Sequence, residues 1–328
     1  MRRRQFLALL GSMAIGCPAD VVAQQSERVR RIGALMPLTA GDALALRRAK
    51  IFTQALQDLG WTDGQNTRID YRWTGGDIEQ IQSLAKELVS SRPDVLVGFG
   101  QAPTAALQQA TRTIPIVFLM PTDPVAEGIV QSLARPGGNA TGFFATEPSL
   151  GGKWLELLKE IVPGLRRVAV IFNPSTGGTS YLHSVETAAP LFSVEATGAP
   201  VHHVSDIELA ISSLVREPGG GLIVLPDAFT ASHHIQIIEL AARYRLPAIY
   251  ATRDYANEGG LMAYGADPVD MYRRVASYVD QILKGANPAN LPVQAQHKFG
   301  LVINLKTAKT LGLAVPPSLL DRADEVIE

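Results

Sequence analysis

Short, nearly uninterrupted apolar runs alternate along this chain with longer stretches of helical period. Ile32 to Pro37 is the first run. It is followed by Ala45, Ala49, Phe52, Leu56 and Leu59, the spacing of one helix face over Leu44 to Leu59, with Gly60 as the stop. Thr67 to Trp73 alternates like a strand, and Ile78 to Val89 repeats at helical period before Pro93. Asp94 to Gly100 is apolar enough to be buried on both faces, as in a parallel sheet. A helix from Pro103 to Thr111 and a strand from Ile114 to Leu119 complete the series. The order β-α-β-α-β-α-β predicts a doubly wound sheet.

The same plan then restarts. Trp154 to Val162 reads as a helix, Arg167 to Phe172 as a buried strand, Val185 to Ala199 as partly helical, and Val201 to Val204 as a short strand. A helix over Ile207 to Arg216, a strand over Gly221 to Leu225, a helix over Ile235 to Tyr244 and a strand over Leu246 to Tyr250 follow. Asp94-Val95-Leu96-Val97 and Ile114-Pro115-Ile116-Val117 in the first half thus answer Gly221-Leu222-Ile223-Val224 and Leu246-Pro247-Ala248-Ile249 in the second. Between the halves, Ser132 to Trp154 carries Pro136, Gly137, Gly138, Gly142, Gly151 and Gly152, which punctuate regular structure, around a Phe143-Phe144 core fit for a short strand. The stretch reads as a hinge between two similar lobes; the alternative is a loop inside one large α/β domain. An amphipathic helix over Val269 to Leu283, a linker over Pro288 to Pro292, a strand over Phe299 to Ile303 and a helix over Leu305 to Leu311 form a tail suited to returning to the first lobe and recrossing to the second.

With 328 residues, 46% of them hydrophobic and 19% charged, there is ample material for one large or two medium cores. The formal net charge of -1 leaves no broad basic face for phosphates, which argues against nucleic acid as a partner. The N-terminus differs in kind: Arg2-Arg3-Arg4, an apolar run from Phe6 to Ile15, then Val21-Val22-Ala23, the layout of an export signal over residues 1–23. The run is shorter than the roughly 20 residues of a membrane span. Arg3-Arg4-Gln5-Phe6-Leu7 resembles the twin-arginine motif, which sends folded proteins to the periplasm. Cleavage is expected after Ala23. The alternative, lipid anchoring at Cys17, has Ala14 where such boxes usually carry Leu. Cys17 is the single cysteine, so a chain cut after Ala23 has neither disulfide nor catalytic thiol.

Motifs for nucleotide or hydrolase chemistry are missing: no G-x-G-x-x-G follows the first strand, and neither a G-x-x-x-x-G-K-[ST] loop nor a G-x-S-x-G elbow occurs. His202-His203 and His233-His234 are adjacent pairs whose side chains diverge on a strand or a helix, so they read as solvated or capping residues, with no metal site. No cofactor is implied. In open α/β sheets ligands bind beyond the carboxyl ends of the strands. Here those ends read Pro37-Leu38-Thr39, Gly100-Gln101-Ala102, Pro121-Thr122-Asp123, Asn173-Pro174-Ser175, Pro226-Asp227-Ala228 and Tyr250-Ala251-Thr252. Such residues suit a zwitterion: hydroxyls and N–H groups for a carboxylate, Asp123 or Asp227 for an ammonium, Tyr250 or Tyr264 against an apolar side chain. Each also suits an ordinary capping role.

Ser132-Leu133-Ala134-Arg135-Pro136-Gly137-Gly138-Asn139-Ala140-Thr141-Gly142, Asp123-Pro124-Val125, Lys153-Trp154-Leu155-Glu156-Leu157-Leu158-Lys159 and Ile282-Leu283-Lys284-Gly285 with Leu291-Pro292-Val293 carry a family resemblance, extended by Ile303 to Lys309 and Leu311-Gly312-Leu313. They resemble the bacterial ABC-transporter substrate-binding proteins of type I periplasmic binding fold, in the branch that includes binders of tryptophan and other aromatic amino acids. The likeness runs from about Arg31 to Pro317. It implies an α/β protein of two doubly wound lobes joined by a three-crossover hinge, a monomer that closes on a small solute, an amino acid or related small organic acid, and docks on a membrane permease. Residues 31–143 plus about 265–290 would form one lobe and 150–262 plus about 298–328 the other, with hinges near 143–150, 262–266 and 290–298. The family's site carries over to Thr39, Gly100, Gln101, Ala102, Asp123, Asn173 and Asp227; Tyr250, Thr252 and Tyr264 join them as strand-end candidates. Where family members often have Gly-Thr this chain has Gly100-Gln101, so the longer amide is expected to reshape the pocket or bond the solute. A ligand sensor docking on a receptor or kinase, and an exported α/β enzyme, are the alternative readings; the second lacks a Ser-His or Asp-His pair at the strand ends.

Overall fold

The computed structural model describes residues 28–120, 123–144, 149–176, 179–215, 218–296 and 298–328; Cys17 and the segment 1–23 read as an export signal lie outside them. In the first half Arg30–Met36 (β1), Thr67–Trp73 (β2), Val95–Phe99 (β3), Ile116–Met120 (β4) and Ala140–Phe144 (β5) alternate with Ala43–Asp58 (α1), Ile78–Ser90 (α2) and Gln101–Ala110 (α3). Asp42 and Asp77 start α1 and α2 by accepting from the first free backbone N–H groups. The second half repeats the alternation with Leu150–Ile161 (α4), Arg167–Phe172 (β6), Thr179–Ala188 (α5), Glu195–Pro200 (β7), Val204–Leu214 (α6) and Gly220–Val224 (β8). Ala228–Ser232 (α7), His234–Arg243 (α8), Ala248–Tyr250 (β9), Arg253–Asn257 (α9) and Met262–Ala266 (β10) follow. Pro268–Leu283 (α10), Gln294–Ala295 (β11), Phe299–Asn304 (β12), Leu305–Leu311 (α11), Pro317–Leu320 (α12) and Glu325–Ile327 (β13) end the chain.

Two sheets result, one in the order β11-β5-β4-β3-β1-β2 and the other β13-β12-β10-β9-β8-β6-β7. All pairings are parallel except β10 with β12. The order 2-1-3-4-5 in the first sheet corresponds strand for strand to 7-6-8-9-10 in the second, so the repeat seen in the sequence is a repeat of topology. Helices cover both faces of each sheet. Phe52 and Leu56 of α1 and Val275 and Val279 of α10 pack with Ile32 and Val97 on one face of the first, and Ile81, Leu88 and Leu107 pack with Leu96 and Phe118 on the other. Around the second, Trp154, Leu158 and Val185 cover one face, and Ile207, Ile211 and Ile237 the other. The chain passes between the sheets three times: after β5, between β10 and α10, and between β11 and β12. Among the described residues no helix is long and apolar enough to cross a membrane.

Several boundaries differ from the sequence reading. The strand expected at Val201 to Val204 lies at Glu195–Pro200, and α6 already starts at Val204. β7 is an edge strand with an exposed, alternating face, so pairing with β6 defines it rather than hydrophobicity. β10 occupies the 262–266 stretch read as a crossover, and β13 was not foreseen, because only three residues add to the sheet edge. Within the stretch Ser132 to Trp154 read as a hinge, Ser132 to Asn139 leads into β5, and the passage to the second sheet follows β5. Asn139 Nδ2 donates to the Ile114 carbonyl at 2.8 Å and holds the end of β4 against β5. The most recognisable motif in the chain therefore serves a strand connection.

Candidate binding site

β1 and β3 are adjacent in the first sheet but wound in opposite directions, as are β6 and β8 in the second. The loops leaving these four strands diverge and leave a crevice at each switch point. The two crevices face each other and enclose a cavity of about 170 Å³. Pro37, Phe99, Gly100, Gln101 and Leu119 line it from the first sheet, and Thr176, Leu225, Asp227, Ala251 and Thr252 from the second. Arg48 of α1, Trp154 of α4, Tyr255 of α9 and Tyr272 of α10 complete the wall. The lining is mostly apolar and strongly aromatic. Tyr272 stacks on Phe99 with ring centroids 4.6 Å apart, which continues the cavity wall into the core of the first lobe. Trp154 is held by its Nε1–H, which donates to the Tyr264 carbonyl at 2.7 Å.

The lobes touch beside the cavity. Ser232 Oγ donates to the Pro37 carbonyl at 2.6 Å, Arg48 Nη2 to Asp254 at 2.7 Å, and Arg47 Nη2 to Glu258 at 2.9 Å. Gly76 approaches so closely that a Cβ there would stand 2.9 Å from the Ala228 carbonyl oxygen. Arg48 is 12% exposed and Asp254 10%. Burial alone would lower the guanidinium's proton affinity, but Asp254 beside it more than offsets that and holds Arg48 charged.

Asp227 presents the opposite case. Its carboxylate accepts from the Thr230 N–H at 2.8 Å, the Thr176 hydroxyl at 3.0 Å and the Asn173 N–H at 3.0 Å, and caps α7. Burial pushes its carboxyl up to about 6 in spite of these donors, and among the described residues no cation offsets it. Burying a carboxylate without a counter-charge is costly, and hydrogen bonds offset only part of that cost.

Of the residues singled out in the sequence, Gly100, Gln101, Asp227 and Thr252 line this cavity. Asn173 does not, but fixes Asp227 through its N–H. Ala102 is buried and lines a smaller neighbouring hollow with Gln101 and Thr176. Thr39 is exposed, and Asp123 is exposed and spends its carboxylate on the Val125 N–H at 2.8 Å, so neither reaches the cavity. Tyr250 is buried behind the wall, stacked on Tyr255 at 4.6 Å. Tyr264 lies by a separate surface groove and contributes its carbonyl to Trp154. His234, read as solvated or capping, is instead buried, with Nδ1 3.0 Å from the Ala231 carbonyl. Arg48, Trp154, Tyr255 and Tyr272 were missed. For Arg48 the signal existed: it falls on the stripe Leu44, Ala45, Phe52 and Leu56 that buries α1, where a charge needs a reason. The aromatic residues sit on apolar helix faces and are indistinguishable there from core.

Residues 34–327 match the model of the ABC transporter substrate binding protein family. The chain belongs to this family. A curated tyrosine-binding protein of Clostridioides difficile (strain R20291) is 30% identical over 266 residues, 80% of this chain and 76% of that protein. Among solved structures, a conserved domain protein from Vibrio cholerae matches with a TM-score of 0.81 at 29% identity, covering 91% of this chain and 100% of that one. A protein from Streptococcus pneumoniae in complex with L-Trp matches with a TM-score of 0.79 at 24% identity, over 91% and 100% of the two chains. A ligand-free, open substrate-binding protein with adhesive properties from Clostridium difficile gives 0.63 at 26% identity, over 91% and 99%. Two parallel-sheet lobes of the type I periplasmic binding fold, serving an ABC transporter substrate-binding protein, are thus common ground between sequence and structure.

Proposed function

We propose that this protein captures one amino acid with an aromatic or large apolar side chain between its lobes, outside the cytoplasm, and delivers it as a monomer to an ABC permease without chemical change. The observation that carries this reading is the cavity itself: aromatic walls from both lobes, with a buried carboxylate that has no counter-charge among the described residues at one side. Such a lining suits an apolar side chain and an ammonium, and it suits a sugar, which needs hydrogen bonds around its whole rim, poorly. Two of the more similar relatives, a tyrosine binder and a structure with L-Trp, point the same way. The basic, apolar and small-residue segments before residue 24 support export.

In this reading residues 31–143 plus about 265–290 and residues 150–262 plus about 298–328 move as two bodies, and the three passages of the chain between the sheets absorb the rotation. Gln101 and Thr252 contact the solute, and Asp227 takes the ammonium. The test is a thermal-shift screen of residues 24–328 against the amino acids, sugars and small carboxylates, followed by calorimetry. A ligand at about 100 times its dissociation constant stabilises by about 2.7 kcal/mol, several degrees in melting temperature. Tyrosine, tryptophan or phenylalanine is expected to shift the protein and be recovered intact. A shift with sugars alone, or turnover of the bound compound, would overturn the proposal.

A further inference from the structure

Among the buried side-chain nitrogen and oxygen atoms of the described residues, two lack a hydrogen-bond partner: Arg48 Nε and Thr252 Oγ1. Both residues line the cavity. Folded chains leave few such atoms unpaired, because each buried donor without an acceptor carries the full cost of its lost hydration. These two are related in space. Arg48 reaches across from α1 to Asp254 in the first turn of α9, and Thr252 is the residue that opens that helix. The Thr252 side chain makes no capping bond, although a threonine in this position normally does. Its hydroxyl is therefore not committed to the helix, and the Arg48 guanidinium commits Nη2 to Asp254 while Nε–H stays unused.

The missing partner must be an acceptor, since a guanidinium has donors only. A single group that serves both atoms would take a donor from each lobe, which a carboxylate with two oxygens and about four lone-pair directions can do. We propose that the carboxylate of the solute bridges Arg48 Nε and Thr252 Oγ1, joining α1 of one lobe to α9 of the other beside the Arg48–Asp254 ion pair. This rests on the reading of the solute as an amino acid and extends it. The carboxylate becomes the group that completes the closed arrangement, so the site discriminates a free amino acid from its amide and from a residue within a peptide. Tyr255, on α9 with Asp254, lines the same cavity and donates its hydroxyl to the carbonyl of Thr230, the residue whose N–H is capped by Asp227, at 2.9 Å.

The test is calorimetric titration of the mature chain with L-tyrosine and L-tryptophan and with the carboxamide of each. For wild type the amide is expected to bind at least about tenfold more weakly than the acid, the range for one lost charge-assisted hydrogen bond. Thr252→Val keeps the branched shape and extended backbone of the position and removes only the hydroxyl. It should weaken the acid by about tenfold while leaving the ligand-free melting temperature within a degree or two. Arg48→Lys, which keeps the charge but not the Nε–H, should narrow the gap between acid and amide. Acid and amide of equal affinity in wild type, or Thr252→Val binding the acid as wild type does, would overturn this inference while leaving the amino-acid reading standing. Failure of wild type to bind either acid would instead overturn that reading, and this inference with it.

Discussion

A Cβ placed on Gly76 would meet the carbonyl oxygen of Ala228 at 2.9 Å, and these two residues belong to opposite lobes. Gly76 also has φ +77°, a backbone state that costs an L-residue about 1–2 kcal/mol. Gly76→Ala is therefore expected to act twice. The backbone strain lowers the melting temperature of the ligand-free protein modestly, while the added methyl opposes lobe contact and weakens solute binding by about tenfold or more. Small-angle scattering with and without saturating ligand separates the effects: the variant should compact less than wild type. Unchanged affinity would mean that the bound lobes need not approach this closely.

Asp227 is expected to make both stability and solute binding depend on pH. Its carboxyl is raised by burial to about 6 from an ordinary value of 3.8, so the folded protein holds this proton more tightly than the unfolded chain. The stabilisation from that proton is fully present below 3.8 and is lost as pH rises through about 6, a loss of about 3 kcal/mol over the window. The stability of wild type relative to Asp227→Asn should fall across that window in urea titrations. For a ligand whose ammonium pairs with the ionised carboxylate the trend reverses. Affinity should drop as pH is lowered through 6, approaching tenfold per unit below it. A wild-type dissociation constant flat between pH 5 and 7.5 would take the ammonium away from Asp227.

The alternation of strand and helix in both lobes was legible in the chain because buried parallel strands are continuous apolar runs, as at Asp94 to Phe99 and Gly221 to Leu225. The edge strands β7 and β13 were not, because their definition lies in pairing with a neighbour. The site divides in the same way. Gly100, Gln101, Asp227 and Thr252 follow from strand ends alone, whereas Asp123 and Thr39 occupy equivalent positions and turn outward. Proximity to a strand end places a residue on the right edge of a sheet; which way its loop bends depends on what packs beneath it. Arg48 and Trp154 come from helices and enter only because the lobes meet.

Trp154 reports on the cavity. It lines the wall and is only 1% exposed, while Trp61 and Trp73 pack elsewhere. Tyrosine or phenylalanine binding should change the emission of wild type, and Trp154→Phe should abolish that change. The variant also leaves the Tyr264 carbonyl without the indole donor at 2.7 Å, with an expected loss of about 1–3 kcal/mol in stability. An emission change that survives in Trp154→Phe would place the solute outside this cavity.

Arg48–Asp254 and Arg47–Glu258 both cross between the lobes, at 2.7 and 2.9 Å, yet they should not matter equally. The first pair is nearly buried, with 12% and 10% exposure, and the second is open to solvent at 45% and 29%. Removing one member of a buried pair leaves a charge without compensation and costs about 3–5 kcal/mol, whereas an exposed pair contributes about 0–1 kcal/mol and is screened by salt. In the proposed hinge motion Arg48 regains water as the lobes part, so most of its cost is expected to fall on the closed form and appear as lost affinity. Asp254→Asn is expected to weaken solute binding by on the order of a hundredfold, with little dependence on salt. Glu258→Gln should change it by less than about fivefold, and by less still at 0.5 M salt, about ten times a 0.05 M reference buffer. Equal losses in the two variants would show that the lobe contact works through long-range charge attraction rather than through a desolvated pair at the cavity edge.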